Sequence, residues 1–301
     1  MTTDFYGLPT RTLQNDQLRV DYLAEAGPRL VRLMAAGSAD NLLAEVPAAH
    51  WPTPWGEYHL HGGHRIAVAP EALGLSYVPD DTGLQREDLP DGVRLIRPIE
   101  AASGLSKSIE VQLQPDRPAL TLRQAVCNER TEPVEIAAWS ITQLNLGGIA
   151  VAPLRVTPLM NRQRPDRQLV LWPYSSWQDE RLFADDDYVW IDAQTRAAEF
   201  KVGLLANGWL GYWRAGVFFL KRFDPQLERQ HPDLNTNAQL YCNQNFIELE
   251  SLAPLTVLEP GQCSTHLETW EIYQAADVPP SIEGLNEFIR SLRLDSTRPA
   301  G

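Results

Sequence analysis

The chain has 301 residues, is 44% hydrophobic and carries a formal net charge of −13. That length can bury a large core, as one big domain or two smaller ones. The acidic surface repels phosphate backbones and anionic lipids, which argues against nucleic acid or a membrane surface as partner.

The N-terminus, Met1-Thr2-Thr3-Asp4-Phe5-Tyr6-Gly7, has no basic region followed by an apolar one, and no apolar run approaches the ~20 residues of a membrane helix. The expectation is a soluble, cytoplasmic protein. Period-two alternation then marks strands in turn: Leu18–Leu23, Gly92–Arg97, Ser108–Leu113, Val134–Ala137, Ala215–Lys221, Phe246–Glu250 and Ser264–Trp270. Turn clusters at Gln114–Pro118 and Asn128–Pro133 punctuate them, and 23 prolines break most helical windows. Many short strands between Pro/Gly/Asp turns predict an all-β fold, a large antiparallel sandwich. One helix is predicted, over 281–294. Leu285, Phe288, Ile289 and Leu292 form its apolar stripe, Ser281 is its N-cap, and it is expected to pack on the sandwich edge. With no repeat or long linker, residues 1–301 read as a single domain, with a core over about 12–274 and a frayed tail at 295–301.

Cys127, Cys242 and Cys263 are odd in number, far apart and without a CxxC. They predict ordinary thiols in a reducing cytosol rather than a disulfide framework or zinc ribbon. Nine tryptophans are a high load for this length; many are expected in the core, and a surplus is also what a sugar-binding cleft would need.

Chemistry concentrates in His59-Leu60-His61-Gly62-Gly63-His64-Arg65; with His50 it holds four of the six histidines. Glycine admits close approach to the backbone, and imidazole moves protons near neutral pH. On a strand, His59 and His61 share a face, as two metal ligands do. A cupin-type site wants a glutamate a few residues further on, however, and the next acid is Glu71. No metal is therefore expected, and a polar-ligand site using His61, His64 and Arg65 is preferred over structural histidines. Glu248 and Glu250 share one strand face with Phe246, either as a solvated edge or as a general base at a pocket mouth. In Phe218–Phe223, Lys221 and Arg222 must point to opposite faces, so one of them enters a cleft or guards an edge. Asp185-Asp186-Asp187 lacks the spacing of a calcium loop and reads as a solvated turn. No GxGxxG, Walker loop, GxSxG or HExxH occurs, and no cofactor is expected.

Three stretches, in order, give the chain a family likeness. Gly27-Pro28-Arg29-Leu30-Val31-Arg32-Leu33 with Asp40-Asn41-Leu42-Leu43 comes first, Leu60-His61-Gly62-Gly63 second, and Leu249-Glu250-Ser251-Leu252 with Leu258-Glu259-Pro260-Gly261-Gln262 third. Together they resemble the galactose mutarotase-like (aldose 1-epimerase) superfamily over about residues 12–274, closest to a branch designated a domain of unknown function. The resemblance implies a β-supersandwich with a sugar cleft on its concave sheet, and a small carbohydrate as the ligand. It implies Glu250 as the base that takes the anomeric hydroxyl proton and His61 as a substrate-binding residue, with His64 and Arg65 contacting hydroxyls or an acidic group. Where the family carries its acid histidine, this chain has Gln143, and an amide donates no useful proton. Either His64 supplies the acid or the chain binds sugar without epimerising it. The expected set is therefore Glu250 and His64 for catalysis, and His61, Arg65, Gln143, Lys221, Glu248 and Trp55 for substrate. Three functions follow: a sugar mutarotase or epimerase, a non-catalytic sugar-binding protein, or a metal enzyme built on His59, His61 and a carboxylate. An open-edged sandwich also suits a homodimer.

Overall fold

The computed structural model describes residues 3–154, 163, 165–194 and 197–294; the tail expected to fray at 295–301 lies outside them. The period-two strands assemble into two large antiparallel sheets packed face to face. The front sheet runs Thr3–Phe5, Leu8–Gln14, Leu18–Leu23, Arg29–Ala35, His64–Ala69, Val134–Asn145, Phe246–Leu252, Ala238–Cys242, Phe200–Leu204 and Leu169–Leu171 from edge to edge, with Thr256–Leu258 pairing beside Val134–Asn145. The back sheet runs Leu182–Ala184, Tyr188–Asp192, Gly148–Pro153, Trp209–Arg214, Val217–Phe223, Cys263–Gln274, Ala119–Asn128, Leu105–Leu113, Gly92–Arg97 and Gln85–Leu89. The first strands lie ahead of residue 12, where the core was expected to begin.

Alternation explains the core. Ile247 and Leu249 turn inward with Val20, Leu33, Val68 and Leu144 to meet Val111, Leu122, Phe219 and Trp270 of the back sheet. The chain folds this way because each of these strands is apolar on the face it buries and turns rich in Gly, Pro, Asn and Asp punctuate them. The Asp185 carboxylate closes one such turn by accepting the N–H groups of Asp187 and Tyr188.

The helix spans Ile282–Ser291, and the Ser281 hydroxyl caps it by accepting from the Gly284 N–H at 3.2 Å. Glu283 in the first turn and Arg290 in the last suit its dipole. Leu285 and Ile289 pack on Trp209, Trp213, Phe218 and Leu220, so the helix covers the outward face of the back sheet rather than the sandwich edge. Those central strands expose apolar residues on both faces, and the second face also needs a cover.

The prediction of free thiols is corrected at one pair. Cys127 and Cys263, 136 residues apart in sequence, are joined by a disulfide. Strand register places them directly opposite each other, a proximity invisible to sequence spacing. Cys242 is a buried free thiol. Among the described residues no helix is long and apolar enough to cross a membrane.

One hairpin, Glu45–Thr53 with Gly56–Gly62, leaves the front sheet and stands against its outer face. The chain returns to the sheet through His61, Gly62 and Gly63, whose φ angles are 57°, 102° and 71°. A Cβ on Gly62 would sit 2.1 Å from the Ala44 carbonyl oxygen, and one on Gly63 1.9 Å from that of Leu30. Both backbone approaches and both left-handed angles therefore require glycine.

Candidate functional site

The site grows from strand parity. On Phe246–Leu252 Ile247 and Leu249 turn inward, and Phe246, Glu248 and Glu250 face out. Register sets Gln143 opposite Glu248 and Ile141 opposite Glu250 on one flank. On the other flank Tyr241 lies opposite Glu248 and Gln239 opposite Glu250. One strand further, Lys201 faces Tyr241; on the far side, Arg65 lies opposite Ile141. Five strands thus contribute polar or aromatic side chains to one outer face.

Over that face lies a cavity of about 440 Å³, within the usual range for a small-molecule site. Arg65, Trp139, Lys201, Tyr241 and Glu248 form its floor; Trp51 and Leu60 of the hairpin, with Tyr77, form one wall, and Trp172 and Tyr174 the other. Ala49, Glu71, Glu199, Asn243, Asn245 and Phe246 complete the lining.

The two floor carboxylates differ in partners. Glu250 is fully buried; its Oε2 accepts from Lys201 Nζ at 2.9 Å and Trp139 Nε1 at 2.7 Å. The Lys201 ammonium lies 4.8 Å from the ring centres of both Trp139 and Trp172, a double cation–π contact. Glu248 Oε1 accepts from Gln143 Nε2 at 2.8 Å, and the Arg65 guanidinium is 3.8 Å away. Burial pushes the Glu248 carboxyl up to about 7, the Glu250 charge adds to the effect, and Arg65 and Lys201 oppose it. Several buried polar atoms beneath this face have no hydrogen-bond partner in the protein: Arg65 Nε and Nη1, Gln143 Oε1, Gln239 Oε1 and Glu250 Oε1. Native proteins seldom leave such groups unpaired, and here they cluster at the cavity floor.

Of the residues predicted from sequence, the structure brings Arg65 and Glu248 to the cavity lining, with Gln143 and Glu250 directly beneath them. Four others lie elsewhere. His64 is fully buried between the sheets, with Nδ1 3.0 Å from Thr142 Oγ1 and Nε2 3.1 Å from Gln124 Oε1. Burial pushes its imidazole down to about 3, so it is neutral and cannot serve as the acid at the cavity. Lys221 is also buried between the sheets. It donates to Ser140, Thr142 and the Leu249 carbonyl, and pairs with Glu268 at 3.0 Å. His61 points to the far side of the hairpin, onto Asp81 at 2.7 Å, and the half-exposed Trp55 stands at the hairpin turn over Gly74. His61 shares the far face of the hairpin with His59 by ordinary alternation, and the three consecutive residues with positive φ then reset the alternation, so that His64 turns inward on the next strand.

Lys201, Trp139, Trp51, Tyr77 and Tyr241 escaped the sequence reading. The signal for Lys201 was a single cation within the apolar run Phe200-Lys201-Val202-Gly203-Leu204, the pattern of a strand with one polar position on its outer face.

No protein-family model matches the sequence, and no curated protein matches it. Solved structures do match, and they show the galactose mutarotase-like fold. A candidate aldose 1-epimerase from Klebsiella pneumoniae superposes with a TM-score of 0.61 at 11% identity, covering 97% of this chain and 85% of that one. A galactose mutarotase-like protein from Lactobacillus casei gives 0.56 at 12% identity, covering 88% and 100%. A TPR-domain containing protein from Parabacteroides distasonis gives 0.59 at 15% identity over 92% of this chain and 48% of that one. At these identities the likeness shows the fold alone.

Proposed function

We propose that the chain binds a sugar in the cavity above Arg65, Lys201 and Glu248 and exchanges protons at its anomeric centre, as in mutarotation. The observation carrying this reading is the position of Glu248, a carboxyl lining an aromatic-walled cavity two residues from the ion-paired Glu250. Indole and phenol rings suit the apolar faces of a pyranose, and the unpaired amide, guanidinium and carboxylate atoms suit its hydroxyls.

In this scheme the ionised Glu248 takes the proton of the anomeric hydroxyl. The bond from the anomeric carbon to the ring oxygen breaks, and that oxygen receives a proton. The Lys201 ammonium, on the same floor, is the donor. Rotation about the bond next to the open aldehyde and reclosure on the other face give the second anomer and return both protons. The roles first given to Glu250 and His64 thereby pass to Glu248 and Lys201, while Glu250 holds Lys201 in place.

Anomer-exchange NMR on a panel of reducing aldoses tests the reading. The wild type accelerates interconversion over buffer, and Glu248→Gln loses about 10²–10⁴-fold of that acceleration. Equal rates in the two proteins would remove the assignment. A second reading, sugar binding without turnover, draws on one observation: none of the residues lining the cavity is a histidine. It gives saturable binding in the same experiments and no acceleration.

A further inference from the structure

The histidines that the cavity does not use form a second cluster. Along Gly56–Gly62, Tyr58 and Leu60 pack with Phe246 on the cavity side, and His59 and His61 face away. Asp81, from a loop twenty residues further on, reaches both imidazoles. Its Oδ2 lies 2.6 Å from His59 Nδ1 and its Oδ1 2.7 Å from His61 Nε2. The two rings stack with centres 5.6 Å apart, and one ligand atom from each of the three residues lies within 4.8 Å of the others. We propose that His59, His61 and Asp81 bind a divalent transition-metal ion, zinc foremost, with water completing the coordination on the solvent side.

The donor chemistry selects the ion. Two imidazole nitrogens and one carboxylate suit zinc, whereas calcium and magnesium prefer all-oxygen shells. A tetrahedral ion with bonds of about 2.0–2.1 Å sets its ligand atoms roughly 3.3–3.5 Å apart. The present hydrogen bonds are shorter than that, so the ion replaces the shared protons and opens each contact by under about 1 Å. The side chains of His59 and Asp81 are partly exposed, at 35% and 28%, which leaves room for that adjustment and for water.

The cluster is also built. Arg29, fully buried, donates from Nη1 to the Leu60 carbonyl at 2.7 Å, the backbone between the two histidines. Its Nη2 pairs with Asp80 at 2.9 Å, the residue before Asp81, and the Asp80 carbonyl accepts from the Gly27 N–H at 2.8 Å. One guanidinium therefore fixes the histidine strand and the acid-bearing loop relative to each other. Ligands held by rigid neighbours lose little freedom on binding. Searching beyond His61 for a nearby glutamate could not have found this acid, because it comes from a separate loop. The site also lies on the opposite side of the hairpin from the cavity floor, so its role is to brace that wall rather than to take part in proton exchange.

Zinc titration of untagged protein by calorimetry, at about pH 7.5 where ordinary imidazole is neutral, tests the proposal. Wild type takes up one equivalent with a Kd tighter than about 10 µM. His59→Gln and Asp81→Asn each weaken it by about 10–100-fold. His50→Gln is the control: that ring lies tilted against His59 at 5.5 Å but is turned to Glu57, and its loss changes the Kd by less than about threefold. Circular dichroism verifies that each variant is folded. Cobalt in place of zinc gives the visible absorption of a four-coordinate ion. Absence of saturable uptake by the wild type, or uptake unchanged in both His59→Gln and Asp81→Asn, overturns the site. No sugar enters the measurement, so its failure and that of the sugar reading are separate.

Discussion

Lys201 Nζ lies 2.9 Å from Glu250 Oε2, with both side chains almost wholly withdrawn from water. A buried pair of this kind is worth little net, but breaking it is expensive because the surviving charge has no compensation. Glu250→Gln is expected to lower unfolding free energy by about 3–5 kcal/mol in denaturant titrations, and Lys201→Met by a similar amount. The double substitution recovers part of the loss, which a double-mutant cycle reads directly.

The pH response is set by Glu248. Its proton affinity in the folded state is raised to about 7, from an ordinary carboxyl value of 4.5. Below 4.5 the carboxyl is protonated in both states, and its stabilising contribution is complete. That contribution is lost as pH rises through about 7, because the folded protein holds the proton more tightly than the unfolded chain does. Anomer exchange, which uses the ionised form, rises with pH across the same window. Glu248→Gln flattens both profiles, and stability curves at pH 4 to 8 together with rate–pH profiles check the two signs.

His64 acts in the opposite direction. Burial depresses its imidazole from 6.5 to about 3, so the folded state excludes a proton that the unfolded chain accepts. Its contribution is present above about 6.5 and is lost progressively as pH falls toward 3, by at most about 1.4 kcal/mol per pH unit. In His64→Gln the acid limb of the stability curve becomes shallower. NMR titration of the wild-type imidazole in folded protein should show no protonation near pH 6.

The disulfide joins the Ala119–Asn128 and Cys263–Gln274 strands of the back sheet. Because it closes a long loop, reduction or Cys263→Ser is expected to cost about 2–4 kcal/mol, seen as a lower denaturant midpoint. Cys242→Ser, at the unpaired thiol, leaves the reductant sensitivity unchanged. Such bonds persist in oxidising compartments, so the thiol count no longer argues for a cytosolic setting.

What could be read from the sequence was whatever obeys a local period. The Leu18–Leu23 and Gly92–Arg97 strands appear with their predicted bounds, and the Ser281 cap with its Leu285 and Ile289 stripe is as expected. The shared face of Glu248 and Glu250 follows from the same rule. The location of His64 did not, because alternation holds only while φ stays extended, and the chain turns left-handed at three residues between the hairpin and the sheet. The Lys201–Glu250 pair, the reach of Asp81 and the Cys127–Cys263 bond were illegible for another reason: each is made through tertiary register that no spacing rule encodes.

The corner at Gly62 and Gly63 also bears on how a ligand is admitted. With the Ala44 and Leu30 carbonyl oxygens in near contact with its backbone, the hairpin cannot swing as a flap without breaking the hydrogen bond from the Gly63 N–H to Ala44. The Trp51–Leu60 side of the cavity therefore behaves as a fixed template. Ligands are sorted there by whether their outline already fits, and adaptation is left to the side chains of the opposite bank.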